Sequence, residues 1–361
     1  MNTDISGSTT LQKVPWPWKD HHQEILPQCI LPLDQYSYKG SSGRIVIIGG
    51  SDLYTGAPYY AATAALQTGA DLVTIFTAAE AAVPLKCYSP ELMVQAVYQA
   101  QVWNDVVNKQ WTIDDVNDDL LAQYPEVQRQ VQRMIDTVTE NIHRYHCLIV
   151  GPGLGKCPLV GHATGQILKF VRQRCPTMPV VLDADALWCL STSRELWQEA
   201  VVRDNAQIIL TPNRMEYQRF LGNNSNNNES EADWGRAATI IQKGREDCIR
   251  VGFHHHDNDT DSVQQPPILV VEPGGMKRSG GIGDVLAGTT GTFAAWQYIL
   301  QQKEAQSSLS SWIPAAWTAC HLVKRATHVA WRDKKRAMTA PDILDRLGAV
   351  FDEMIGQEYN S

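Results

Sequence analysis

Five short runs set the terms for what this chain can fold into. RIVII (44–48), DLVTIF (71–76), CLIV (147–150), PVVLDAD (179–185) and QIILTPN (207–213) are short apolar runs that lead into Gly, Asp or Asn at most of their ends. A strand with one wet face alternates apolar and polar residues. Runs that do not alternate are buried on both faces, as in parallel sheets. Between the first two lies APYYAATAALQTG (57–69), Ala-rich, with Pro58 near its first turn and Gly69 as a C-cap candidate. Strand, turn, helix and strand within about thirty residues is the spacing of a βαβ unit. The rhythm predicts an α/β fold with a central, mostly parallel sheet covered by helices. Ligands of open α/β sheets bind at the carboxyl ends of the strands.

Other segments break the rhythm. The first forty residues are rich in Pro and Trp and lack a period, which predicts an extended lead-in over 1–40, a single domain over 41–350 and a tail over 351–361. Residues 100–145 are polar and Gln/Asp-rich, which predicts one or two surface helices. NNSNNNESE (223–231) reads as a low-complexity loop, and so does HHHDNDTDSVQQPP (254–267), whose adjacent histidines point in different directions and form no i, i+4 ligand pair.

Composition narrows the partners. With 361 residues, 43% of them hydrophobic, the chain can bury a large core. A net charge of −8 argues against nucleic acid or an anionic membrane surface, and the cluster Lys334, Lys335, Arg336 reads as a solvated face. No apolar run approaches the ~18 residues of a membrane span. The N-terminus has neither the basic and apolar regions of a signal peptide nor the Arg-rich pattern of a transit peptide. Eight scattered cysteines without a CxxC pair suggest neither a zinc site nor a disulfide framework. A cytoplasmic, reducing location is the expectation.

The chemistry concentrates in GGMKRSGGIGDVLAG (274–288), where six glycines surround Asp284. Val285, Leu286, Thr289, Thr292, Phe293 and Trp296 recur at helical spacing behind it, so the glycines sit where the chain enters a helix. First-turn amides lack intrahelical acceptors and carry partial positive charge, which suits an anion. Gly280, Gly281 and Gly283 would let phosphate oxygens approach the backbone. The order of residues is neither that of a Walker P-loop nor that of a dinucleotide fingerprint. Asp284 has two readings: a partner for the helix dipole, or a base for an attacking hydroxyl beside a phosphate site.

GGIGDVLAG resembles the GxGD signature of the ribokinase-like superfamily. In order along the chain, GGSDLYTGAPYYAATAALQTGADLV, SPELM, GPGLG, VLDADAL, LTPNRMEYQRFLG and QKGREDCI are together similar to the ATP-dependent NAD(P)H-hydrate dehydratases, over roughly residues 30–350. That resemblance implies a three-layer α/β/α ribokinase-like fold. It implies an enzyme that phosphorylates the 6-hydroxyl of the S epimer of hydrated NADH or NADPH with ATP, then loses phosphate to regenerate NAD(P)H and release ADP. Mg²⁺ would accompany the nucleotide, a separate epimerase would be functionally linked, and homo-oligomers are common in the superfamily.

The resemblance also implies roles for residues. Asp284 would be the base, with Gly281 and Gly283 flanking the transferred phosphate. Lys243, Gly244 and Asp247, with Arg245 and Glu246 between them, match the KGxxD segment along ATP. Gly274, Gly275, Met276, Lys277 and Arg278 would cover the phosphates or adenosine, continuing through Ser279, Gly280 and Ile282. Ser279 stands where eukaryote-like members carry Cys, and Ile282 where they carry a polar residue; backbone amides survive both changes. Gly153 and Gly155 match the dinucleotide contact, and Ala57 lies in the Tyr54-Thr55-Gly56-Ala57 loop at the nicotinamide end. Asn213, Arg214, Met215, Glu216, Tyr217, Gln218 and Arg219 match a substrate segment, although Asn213 reads equally as a helix N-cap. Asp183 and Asp185 end a buried strand where the family has a substrate or Mg²⁺ contact. Two other readings use the same signature: a kinase of a small alcohol, and a nucleotide sensor without turnover.

Overall fold

The computed structural model describes residues 13–33, 35–107, 110–193, 195–201, 207–222, 238–252, 266–303 and 311–356. Ten strands form one sheet: β1 (Val14–Pro15), β2 (Arg44–Ile48), β3 (Leu72–Ala78), β4 (Met93–Tyr98), β5 (Cys147–Val150), β6 (Val180–Leu182), β7 (Ile208–Leu210), β8 (Thr239–Gln242), β9 (Asp247–Val251) and β10 (Ile268–Val270). Their order is β1-β10-β9-β8-β7-β6-β5-β2-β3-β4. From β4 across to β8 every pairing is parallel, and β9 alone runs against its neighbours. All five runs singled out in the sequence are among the parallel strands.

The register aligns the strand ends. Ile48 pairs with Val150, Val150 with Leu182, and Leu182 with Leu210. Gly49, Gly151, Asp183 and Thr211 therefore emerge along one edge of the sheet. Side chains alternate between two cores, because successive residues of a strand point to opposite faces. Ile45, Ile47, Cys147, Ile149, Val181, Ile209 and Ile241 pack on one face. Val46, Ile48, Leu148, Val150, Val180, Leu182, Ile208 and Leu210 pack on the other. Helices cover both faces, which is the expected three-layer α/β/α arrangement.

On the first face the helix Ile282–Lys303 crosses the helix Gly56–Thr68 so closely that a methyl group on Gly288 would lie 2.0 Å from the Ala61 carbonyl oxygen. Small residues at Ala61, Ala64 and Ala65 permit that approach. The alanine run is thus a packing surface as well as a good helix former. Gly69 ends the helix with φ 120°, as the sequence suggested. Thr339 and Asp342 form a capping box on the helix Ala340–Ile355, a pattern that can be read from Thr-x-x-Asp.

Three expectations need correction. The N-terminal lead-in is not extended throughout: Trp18–Cys29 is a helix whose Trp18, Ile25, Leu26 and Cys29 are buried, and β1 joins the sheet beside β10. Its tryptophans explain the odd composition. Trp18 stacks on Trp317 at 5.0 Å, and Trp317 Nε1 donates to the Trp16 carbonyl. With few turns, this helix shows no clean period, and Pro27 hides it further. The tail beginning at 351 is the end of a helix, with Phe351, Met354 and Ile355 buried. Residues 100–145 hold three helices, Ala100–Val106, Asp118–Ala122 and Pro125–Thr139, which bury Trp103, Leu121, Val127, Val131, Met134 and Val138 under a polar outer face. The Asn-rich loop 223–231 and most of 254–267 lie outside the described residues. No helix among the described residues is long and apolar enough to cross a membrane.

The Gly288 contact makes a direct prediction. Gly288→Ala gains about 1 kcal/mol of helix propensity but must push two helices apart, an overpacking cost of about 1–3 kcal/mol or more. Urea denaturation should show net destabilisation, whereas Gly280→Ala, with nothing within 4 Å of the added methyl, should be close to neutral.

Candidate active site

The aligned strand ends open onto two clefts. The first, of about 650 Å³, is lined by the loop Ser51–Tyr54, Ala57, the loop Gly153–Cys157, Ala184, Asp185 and Asp284. The second, of about 540 Å³, is lined by Lys243, Gly244, Arg245, Asp247, Gly274, Gly275, Arg278, Ser279, Gly283 and Lys324. Two consecutive residues mark the junction. Gly283 faces the second cleft and Asp284 the first.

The glycine-rich entry divides its labour. Gly281 adopts φ 92°, and a side chain there would strike Tyr60 and Ala340, so this position turns the chain into the helix. The helix begins at Ile282, and Ile282 and Gly283 of its first turn line the second cleft. A methyl on Gly283 would come within 3.1 Å of the Lys243 ammonium and 3.9 Å of Asp183 Oδ2. Gly288, by contrast, serves only the crossing with Ala61.

Around this helix start the charges are tightly placed. Lys243 Nζ donates to Asp183 Oδ1 at 2.6 Å, and the Thr211 hydroxyl donates to the same oxygen at 2.7 Å. Burial works against the Lys243 charge, but Asp183, Glu216 and Asp284 outweigh it and hold its pKa above the usual lysine value. Asp284 is pushed up to about 7, chiefly by burial and then by the Asp183 carboxylate, with Lys243 opposing. Asp185 accepts from the Gly155 amide at 2.9 Å, and burial raises its pKa. Ala184, between the two aspartates, sits at φ 48° and ψ −114°, a conformation that an L side chain adopts at a cost of about 1–3 kcal/mol. That strained turn aims Asp183 into the sheet end and Asp185 into the first cleft.

The predicted site residues separate accordingly. Asp284, Asp185, Gly153, Gly155 and Ala57 line the first cleft together. Lys243, Gly244, Arg245, Asp247, Gly274, Gly275, Arg278, Ser279, Ile282 and Gly283 line the second. Within it, Asp247 accepts from the Gly244 amide and pairs with Lys324 at 3.2 Å, so it shapes the β8–β9 turn. Met276 points to solvent, 81% exposed.

The segment 213–219 is less uniform than its resemblance implied. Asn213 is an N-cap: its side chain accepts from the Met215 and Glu216 amides, and Glu216 accepts in return from the Asn213 amide. Asn213 borders the second cleft rather than the first. Tyr217 is buried and takes a hydrogen bond from Arg250. Arg214, Met215 and Gln218 are exposed. Glu216 is the member that feels the centre, its pKa raised by burial against the pull of Lys243.

Several lining residues carried no signal in the sequence. Ser51, Tyr98, Trp103, Asn104 and Lys156 complete the first cleft, and Lys324 the second. Ser51 Oγ and Trp103 Nε1 are buried without a hydrogen-bond partner among the described residues. Trp103 stacks on Tyr98 at 4.5 Å, and Asn104 donates to Asp52 at 3.2 Å, so the helix Ala100–Val106 walls the cleft. Glu80 accepts from the Ala100 and Gln101 amides and holds that helix in place. No local pattern joins residues so far apart in the chain.

Comparison with known proteins agrees with this geometry. Residues 45–348 match a protein family described as NAD(P)H-hydrate dehydratase. A relative from Aedes aegypti, the ATP-dependent (S)-NAD(P)H-hydrate dehydratase, is 32% identical over 346 residues, covering 96% of this chain and 87% of its own. A ribokinase-like superfamily protein from Enterococcus faecalis superposes with a TM-score of 0.60 at 22% identity, covering 92% of this chain and 94% of the other. A Bacillus subtilis ADP/ATP-dependent NAD(P)H-hydrate dehydratase, co-crystallised with ATP/Mg²⁺, gives a TM-score of 0.56 at 20% identity, covering 91% and 95%. At those identities the structural likenesses speak for the fold.

The raised Asp284 pKa has a consequence for stability. Between its usual value of 3.8 and about 7 the folded chain keeps a proton that the unfolded chain has lost. This group therefore lowers stability as pH rises through that window, and the effect levels off above it. Asp284→Asn should melt higher than wild type at about pH 8, by on the order of a few kcal/mol at most, with the gap closing toward about pH 4. Thermal melts across pH test this.

Proposed function

The chain belongs to the NAD(P)H-hydrate dehydratase family, and we propose that its two clefts divide the reaction at the peptide bond between Gly283 and Asp284. The reaction is the ATP-dependent dehydration of the S epimer of hydrated NADH or NADPH. The observation that carries the division is that these consecutive residues line different clefts.

The hydrate occupies the 650 Å³ cleft with its 6-hydroxyl at Asp284. ATP occupies the other, its terminal phosphate against the first turn of the helix Ile282–Lys303, where unpaired amides and the dipole favour negative charge. Asp284, poised near neutral pH, takes the hydroxyl proton as the oxygen attacks phosphorus and ADP leaves. Phosphate is a far better leaving group than hydroxide. The ring nitrogen's electron pair then expels it, and loss of the neighbouring carbon-bound proton restores the dihydropyridine.

Cations dominate the second cleft: Lys243, Arg245, Arg278 and Lys324 line it, and its carboxylate Asp247 is held by Lys324. Among the described residues no three His, Cys, Asp or Glu side chains converge as a metal cage. Such a lining fits Mg²⁺ carried on the triphosphate, the usual way that ion is held. It would screen charge on the phosphates. Residues 13–356 would act as one catalytic unit, and a separate epimerase would supply the S form from the R form.

The test is absorbance at 340 nm on purified hydrated NADH with ATP and Mg²⁺. Wild type should give an ATP-dependent rise, and Asp284→Asn should slow it by about 10²–10⁴-fold, with ADP formation falling in step. A phosphorylated product accumulating without the rise would instead make the protein a kinase. Tight ATP binding with no turnover would make it a sensor.

A further inference from the structure

A buried carboxylate next to a phosphate site is an electrostatic liability, and here there are two. Asp284 has a use as base. Asp183 has none in that scheme, although it is 1% exposed and its Oδ2 lies 3.9 Å from where a Gly283 side chain would begin. A buried carboxylate left unpaired costs several kcal/mol, so its neighbours indicate what it does.

They come from three successive strand ends. Asp183 follows β6, Thr211 follows β7 and Lys243 follows β8; the parallel register puts Asp183 level with Thr211 and Lys243 two residues beyond, from where its long stem reaches back. The Thr211 hydroxyl and the Lys243 ammonium both donate to Asp183 Oδ1, at 2.7 and 2.6 Å. Thr211 is fully buried, which fixes the carboxylate, and the carboxylate in turn fixes the ammonium. A lysine has a flexible four-carbon stem and no preferred direction. Tied this way, its head rests against Gly283, at the lip of the nucleotide cleft and beside Asp284.

We propose that Asp183, seated by the Thr211 hydroxyl, is a positioning residue that holds the Lys243 ammonium at the first turn of the helix Ile282–Lys303, where the cation meets both the arriving phosphate and the catalytic carboxylate. The proposal rests on the assignment of Asp284 as base and of the second cleft as the nucleotide site. Lys243 then does two things. It offsets charge on the transferred phosphate, and it keeps Asp284 ionisable despite burial. The charged groups that face Asp284 are Asp183 from the β6 end, Lys243 from the β8 end and Asp185 from the following helix. Those that face Lys243 are Asp183, Glu216 and Asp284. Removing one of the pair therefore moves Asp284 in a direction that depends on which is removed.

The experiment compares Asp183→Asn, Thr211→Val and Lys243→Met with wild type. Asp183→Asn should lower kcat by about a hundredfold, as misplacement of a catalytic group does, while KM for ATP changes little. The acid limb of the kcat profile should shift to lower pH by about one unit, because a like charge is gone. Lys243→Met should shift it to higher pH. Thr211→Val, the variant to use if Asp183→Asn does not fold, removes no charge and only loosens the seat of the ammonium, so it should lower kcat more weakly than Asp183→Asn and shift the acid limb to higher pH, toward Lys243→Met. A purely structural Asp183 would lower the melting temperature but leave kcat per folded molecule unmoved in Asp183→Asn and the acid limb unmoved in the charge-neutral Thr211→Val, which overturns the proposal. Isotope-edited infrared titration of the Asp284 carboxyl in the nucleotide-free variants should show the same opposed shifts without any substrate. If those shifts occur while wild type fails to dehydrate the hydrate, the positioning stands and the assigned reaction falls. If they are absent, the positioning falls whatever the reaction.

Discussion

The approach of two helix backbones, Gly288 against Ala61, underlies the site. The helix Ile282–Lys303 carries the candidate base in its first turn, and it must lie flat on the sheet for that turn to reach the strand ends. Any side chain at Gly288 would hold it off by the width of a methyl group. Gly291 extends the same contact inward, where an added methyl would strike Ile149 of β5. Gly288 and Gly291, which follow the glycines of the second cleft in the chain, are thus there for packing. Close packing makes the position of Asp284 a property of the whole core rather than of a flexible loop.

With the helix in place, the electrostatics follow. Its amides and dipole attract anions near the strand end that also carries Asp183 and Asp185, with Asp284 in the helix's own first turn. The sheet resolves the conflict by giving each carboxylate a different neighbour. Asp183 has Lys243 and Thr211, and Asp185 has the Gly155 amide. Asp284 is left to burial, which raises its affinity for a proton to near neutrality. Groups of one chemical type thus take separate parts because their surroundings differ. The strained backbone at Ala184 is what lets two of them, only two residues apart, face different ways.

The N-terminal segment shows a similar economy. Trp16 and Trp18 lock onto Trp317 and His321, and His321 pairs with Glu272 at 2.8 Å. Glu272 also holds Arg325, and these partners overcome burial to keep its carboxyl below the usual range. Glu272 stands immediately before the 273–280 loop, which lines the second cleft. Trp16 and Trp18 are therefore braced, through buried side chains, against the root of that loop.

By itself the sequence determined the central parallel strands, the helix behind Asp284, the turn at Gly69 and the Thr339 cap. Each of these rests on local rules: uninterrupted β-branched runs, helical spacing, glycine where φ must be positive, and the Thr-x-x-Asp pattern of a cap. Only the tertiary structure decided that Trp103, Asn104 and Lys156 share a cleft with Asp284, that Asn213 caps a helix while Tyr217 turns inward, and that the proline-rich N-terminus holds a helix. It also decided that Asp183 answers to Lys243. These depend on which segments lie side by side, and burial and charge act through space. Sixty residues separate Asp183 from Lys243 in the chain, and 2.6 Å separates them in the fold.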